Sequence, residues 1–161
     1  MIGKVFTYFF ALILAFSLSI SSLDTFEEPI NIPDIETIMI NEREYYLIST
    51  ETQLRMIDYY GLDRNYMQQN DIEISDVEWI PIGTSDNPFT GSYNGNGFKI
   101  VGLTDNTPST TLFGSANSAK LYNITFSNDG IRNTNCEAKD FVCGSEENCQ
   151  IFDIFFEKLY Q

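Results

Sequence analysis

The spacing of apolar positions changes several times along the chain. From Val5 to about Phe16 they run almost unbroken as VFTYFFALILAF, behind the single cation Lys4 and ahead of small polar residues that end at Ser21. A charged start, an apolar run short of the ~20 residues that span a bilayer and a small-residue exit predict a secretory signal peptide over 1–21, with cleavage after Ser21. Residues 22–43 contain LDTFEEPINIPDIETIMIN, which mixes acids with Pro29 and Pro33 without a sustained period, and read as an extended leader. EYYLIS (44–49) is β-rich, and TETQLRMIDYYG opens with Thr50 and Gln53 at capping-box spacing and ends at Gly61. That predicts one short helix near 50–60, whose face of Leu54, Met56, Ile57 and Tyr60 lies on the end or flank of something apolar.

From Asn65 the helical period disappears. Short runs, DIEI, WIPIG, FKIVGL, TLFG and LYNITF, alternate with Asn, Gly, Ser, Asp and Pro, as strands of an all-β solenoid, sandwich or barrel do. KIVGLT (99–104) aligns with KLYNIT (120–125) at an offset of 21. A period near 20 suits one coil of a parallel β-helix, with Ile100 stacked over Leu121. The stretch FTGSYNGNGFKIVGL (89–103) fits no phosphate cradle. A dinucleotide loop would need a third glycine at position 100, which is Ile, and no Gly-Lys-Ser/Thr follows Gly97. It predicts a tight turn at Asn94-Gly95 and Asn96-Gly97 feeding a strand over Phe98–Leu103. QIFDIFFEKLY (150–160) places Ile151, Ile154, Phe155 and Leu159 at helical spacing and is the expected carboxyl-terminal cap, or else an apolar tail that docks on a partner.

Taken in order, NDIEI (70–74), WIPIG (79–83), PFTGSYNGNGFKIVGL (88–103), LFG (112–114) and AKLYNITFSN (119–128), with YYLISTETQL before them, resemble the repeats of GLUG-motif surface proteins. These are similar to filamentous-haemagglutinin-like adhesins and to the β-helical region ahead of some secreted immunoglobulin-cleaving proteases. The resemblance spans about Tyr45 to Asn128. It implies a mainly-β chain: a short right-handed parallel β-helix of about three coils, capped at its start by the helix near 50–60. The residues carrying this signature of turns and core are Asp71, Trp79, Pro81, Gly83, Phe89, Gly91, Gly95, Gly97, Ile100, Leu103, Phe113, Gly114, Leu121 and Ile124. Asn94 stands where the family usually has Asp, Glu73 where its second acid is Asp, and Thr111 where Gly is common. The organisation expected is a signal peptide (1–21), a leader (22–43), a β-helix domain (44–128) and a cysteine-containing cap or tail (129–161).

Composition narrows the chemistry. A net charge of −14 over 161 residues repels phosphate backbones and argues against nucleic acid as a partner. The absence of histidine removes the commonest general base, the Ser-His-Asp and Cys-His arrangements and most zinc sites. Cys136, Cys143 and Cys149 lie close together, and export would let two of them pair while one stays free or bonds another chain. Asn123-Ile124-Thr125 is an N-glycosylation acceptor by pattern. Asp71, Asp76, Asp86 and Asp105 are the acids nearest the coils, suited to turns unless two meet to form a polysaccharide lyase or hydrolase site, which often also uses calcium and a basic residue. Tyr45, Tyr46, Tyr59, Tyr60, Tyr66 and Trp79 offer rings for stacking on sugars, Trp79 being the better candidate for core. The expectation is a secreted or cell-surface, non-catalytic binding or adhesion module with no cofactor and no membrane span after cleavage. Its ligand would be a glycan or a protein on a host or neighbouring cell. The alternatives are a polysaccharide-active enzyme and a piece of a larger adhesin.

Overall fold

A computed structural model describes residues 32–74, 78–103, 111–127 and 137–157. The expected signal peptide, the first part of the expected leader, Asp76, Asp105, Cys136 and Leu159 lie outside the described residues. The chain is mainly β, with parallel strands and, among the described residues, two short α-helices. Strand β1 (Thr37–Ile40) turns back at Asn41-Glu42, both at positive φ, to pair antiparallel with β2 (Arg43–Ile48), the geometry of a two-residue hairpin. The second half of the leader is therefore a strand laid along β2.

Helices α1 (Glu51–Arg55) and α2 (Ile57–Tyr60) follow, broken at Met56. The expected start signal operates: the Gln53 amide donates to Thr50 Oγ1 at 3.2 Å, and the Ser49 amide donates to Gln53 Oε1 at 2.9 Å. Leu54 and Ile57 are fully buried.

The remaining described strands pair in parallel. They are β3 (Asn65–Gln68), β4 (Ile72–Glu73), β5 (Ser92–Asn94), β6 (Lys99–Val101), β7 (Phe113–Asn117), β8 (Lys120–Phe126), β9 (Cys143–Glu147) and β10 (Gln150–Phe156). One ladder runs β2–β3–β5–β8–β10, with Tyr46, Tyr66, Tyr93, Leu121 and Ile151 in register. A second runs β4–β6–β8–β10, with Ile72, Ile100, Phe126 and Phe156 in register. A third joins Ile82, Phe113 of β7 and Cys143 of β9. Strand β8 serves both of the first two ladders: its first half pairs with β5, its second half with β6, and β10 runs along its other edge.

The core lies where the inward columns of the three ladders meet. Phe89 packs on Phe113 at 4.7 Å between ring centroids, and Tyr93 meets Phe113 edge-on at 5.7 Å. Tyr66, Phe89, Tyr93, Phe113, Leu121 and Ile124 are fully buried, and Ile100 and Leu103 nearly so. Several glycines let neighbouring strands close up. A Cβ on Gly91 would overlap the Arg64 carbonyl oxygen, and one on Gly95 the Asn123 carbonyl oxygen. A Cβ on Gly114 would lie 2.5 Å from the Gly83 carbonyl oxygen, and one on Gly83 2.8 Å from that of Ser115.

Two expectations are overturned. Ile100 does not stack over Leu121. Ile100 pairs with Phe126, while Leu121 pairs with Tyr93 in a different ladder. Ladder partners lie 20 positions apart at Tyr46 and Tyr66 but 27 at Tyr66 and Tyr93, 28 at Tyr93 and Leu121, and 30 at Leu121 and Ile151, so the 21-residue offset between 99–104 and 120–125 is not the structural period there. Residues 150–156 are not a helical cap but strand β10. The helix-like spacing of Ile151 and Ile154 has a local cause: Asp153, at φ 56°, resets the alternation, so that both face inward, as Asn123 at φ 54° does for Leu121 and Ile124. Of the expected turn, the Asn96-Gly97 half forms, both residues at positive φ, with the Phe98 amide donating to the Gly95 carbonyl at 3.0 Å, whereas Asn94 ends strand β5 and neither it nor Gly95 takes a positive φ.

Candidate functional site

Alternation along the first ladder sends every second residue outward. One outward column holds Asn65, Ser92, Lys120 and Gln150; the next holds Leu47, Met67, Asn94, Tyr122 and Phe152. At the β8–β10 end the rings of Tyr122 and Phe152 stack at 5.3 Å with 17° between their planes. Lys120 Nζ sits 4.7 Å from the centre of the Tyr122 ring and 5.4 Å from that of Phe152, within cation–π range. Phe152 remains 40% exposed. Partial burial raises the Tyr122 hydroxyl to a pKa of about 12; a hydrogen bond and the charge of Tyr45 push the same way, and Arg43 opposes them. This platform therefore holds the neutral Tyr122 phenol beside the cations Lys120 and Arg43 on a strongly acidic chain.

A polar ladder continues the face toward β3. Ser92 Oγ donates to Asn65 Oδ1 at 2.8 Å, Asn65 Nδ2 donates to the Glu44 carbonyl at 3.0 Å, and Asn123 Nδ2 donates to Asn94 Oδ1 at 3.1 Å. Asn123, the sequon residue, is thus half-buried and holds the corner between the two halves of β8.

Of the rings proposed for sugar stacking, the structure brings only Tyr45 to this face. Tyr66 is buried and donates to the Gly61 carbonyl at 2.7 Å, and Tyr46 packs on it at 5.7 Å. Tyr60 donates to the Pro33 carbonyl at 2.7 Å, and Tyr59 stands exposed on α2. Trp79 is core, 7% exposed, with its Nε1 donating to the Thr111 carbonyl at 3.0 Å and Arg55 over its ring at 5.0 Å. Pro81 is half-buried beside Gly114, and Gly83 donates its amide to Asp58 Oδ1 at 3.2 Å. Tyr122, Phe152 and Lys120 were missed because their alignment depends on the 30-residue register of β8 and β10.

Of the candidate acids, the two that are described, Asp71 and Asp86, do not converge. Asp71 accepts from the Lys99 amide at 2.8 Å and pairs with Lys99 Nζ at 3.8 Å, which also reaches Glu157 at 2.9 Å. Asp86 is exposed in the turn closed by Thr84 and Asn87. Among the described residues no group of three or more Cys, Asp or Glu is placed to hold a metal ion. Cys143 and Cys149 are both free thiols, with Cys143 donating to the Ser145 carbonyl at 3.0 Å and burial pushing its pKa up. A disulfide between these two is therefore not formed. No helix among the described residues is long and apolar enough to cross a membrane.

Comparison with known proteins returned no matching family model, no matching curated protein and no matching solved structure.

Proposed function

We propose that the three ladders are the sides of a short parallel β-helix, and that the protein is a secreted or cell-surface, non-catalytic module that binds glycans on the outer side of its first ladder. The parallel registers, the repeated glycine contacts between layers and the resemblance to GLUG-motif repeats support the architecture. The observation that carries the function is the Tyr122–Phe152 stack with Lys120 beside it. Stacked rings cover the apolar face of a sugar, and the lysine and the asparagine ladder supply donors and acceptors for hydroxyl or carboxylate groups. The missing histidine, and the absence among the described residues of any converging group of acids, support binding without turnover.

The test is retention on a glycan array and on a polysaccharide panel, with and without calcium. Retention should fall at least tenfold in Phe152→Ala and Tyr122→Ala and stay unchanged in Tyr59→Ala, whose ring stands away from the platform. Release of reducing or unsaturated ends, abolished by Asp71→Asn, would replace this reading with the polysaccharide-active enzyme.

A further inference from the structure

Strands β9 and β10 form the last described layer, β9 over β7 and β10 over β8, and among the described residues neither has a strand partner on its outer edge. A recess of about 510 Å³ lies over this layer, lined by Cys143, Gly144 and Glu146 of β9, by Ile151, Ile154 and the platform ring Phe152 of β10, and by Lys139 and Asp140. The outer edge of β9 has no strand partner among the described residues, so its backbone groups are available to an incoming strand.

We infer that this recess takes one extended segment of another protein, added in register to β9, with an apolar residue over Cys143 and a lysine or arginine three positions later over Glu146. The register sets the pattern. Ile82, Phe113 and Cys143 form one inward column, so the next residue in it would sit over Cys143 in the recess that Ile151 and Ile154 also line. Phe89, Ala116 and Glu146 form the other, so the column that is buried lower down ends in an exposed carboxylate. Glu146 has no hydrogen-bond or ion-pair partner among the described residues, whereas its neighbour Glu147 accepts from Asn117 Nδ2 at 3.0 Å and Asp140 accepts from the Glu137 amide at 2.9 Å. Lys139 is engaged with Glu137 at 2.9 Å. A cation over Glu146 satisfies the one open charge in the recess. A second copy of this chain is the poorer occupant, because a net charge of −14 sets two acidic ends against each other.

The experiment uses the full chain and a fluorescein-labelled threonine-rich decapeptide carrying one valine and, three positions later, one lysine. Fluorescence anisotropy compares it with the same peptide carrying glutamate for lysine, and with one in which the two residues are two positions apart. The first peptide should bind about fivefold tighter than either control, the scale of one exposed charge pair. Glu146→Gln should erase the preference for lysine over glutamate, while Glu73→Gln, which removes an exposed acid on β4, should keep it. Equal binding of the three peptides, no binding, or a lysine preference that survives Glu146→Gln would overturn the inference. So would sedimentation showing a dimer that the peptide does not dissociate.

Discussion

The Tyr93 hydroxyl donates to Gln68 Oε1 at 3.0 Å, and neither side chain has any solvent exposure. Gln68 in turn donates from Nε2 to the carbonyls of Asn70 at 2.8 Å and Lys99 at 2.9 Å. One amide thus ties β3, the turn after it, β5 and β6 together inside an otherwise apolar column. A buried polar group that loses its partner costs about 1–3 kcal/mol. Tyr93→Phe should destabilise by that amount, since it orphans one oxygen. Gln68→Leu should cost more, about 2–4 kcal/mol, because it strands a hydroxyl and two carbonyls. The double variant should lose less than the sum of the two, and urea unfolding of all four chains measures the coupling.

Burial also makes stability depend on alkaline pH. Tyr93 and Tyr66 are raised well above the ordinary tyrosine value, desolvation being the main cause in both, and Tyr122 rises to about 12. In the unfolded chain these phenols ionise near pH ~10. Their contribution is therefore complete below that pH and is lost as pH climbs from there through the folded-state values, because the unfolded chain releases the protons first. Urea midpoints should hold from pH 8 to 9.5 and fall above 10. For fully buried Tyr93 the slope is about 1.4 kcal/mol per pH unit. Tyr93→Phe should make the decline shallower; an unchanged slope would mean that Tyr93 is not buried.

Parts of this architecture are visible in the sequence and parts are not, for local reasons. The helical start at Thr50 and Gln53 and the turn at Asn96-Gly97 depend on side chains and backbone angles a few residues apart, so a short window contains their cause. The period does not. FGSANSAKLYNITF (113–126) and CGSEENCQIFDIFF (143–156) correspond position for position in the ladders, sharing Gly114 with Gly144, Ile124 with Ile154 and Phe126 with Phe156. The left-handed residues Asn123 and Asp153 disguise this by giving strands the three-residue spacing of a helix. The platform of Tyr122, Phe152 and Lys120 is hidden with it, since only the correct register stacks those side chains.

The close approach of strands at glycines gives a sharper test than general tolerance. Gly91→Ala and Gly95→Ala each drive a methyl group into a backbone carbonyl, of Arg64 and Asn123 respectively, and neither carbonyl can swing away without breaking its ladder. Each should cost about 2–4 kcal/mol, in the range of overpacked cores and backbone strain. Gly97 has open space around its missing Cβ and a φ of +82°, so Gly97→Ala should cost only about 1 kcal/mol from the left-handed backbone. Thermal melts that rank the three equally would show that the strands are not spaced as described.

The corners at Asn123 and Asp153 give the last prediction, because both turn the chain from the first ladder to the second with the same positive φ. Asp153 is exposed and makes no hydrogen bond among the described residues, so its cost is conformational alone. Asp153→Gly should stabilise by up to about 1 kcal/mol, and Asp153→Val should destabilise by about 1–2 kcal/mol, since a β-branched side chain tolerates this region least. Asn123→Val should cost more than Asp153→Val, because it also removes the 3.1 Å bond to Asn94 at a half-buried position. Denaturant unfolding of the three variants orders them. A neutral Asp153→Val would mean that β10 runs straight, which would turn Ile151 and Ile154 to opposite faces and break up the lining they give the recess beside β9.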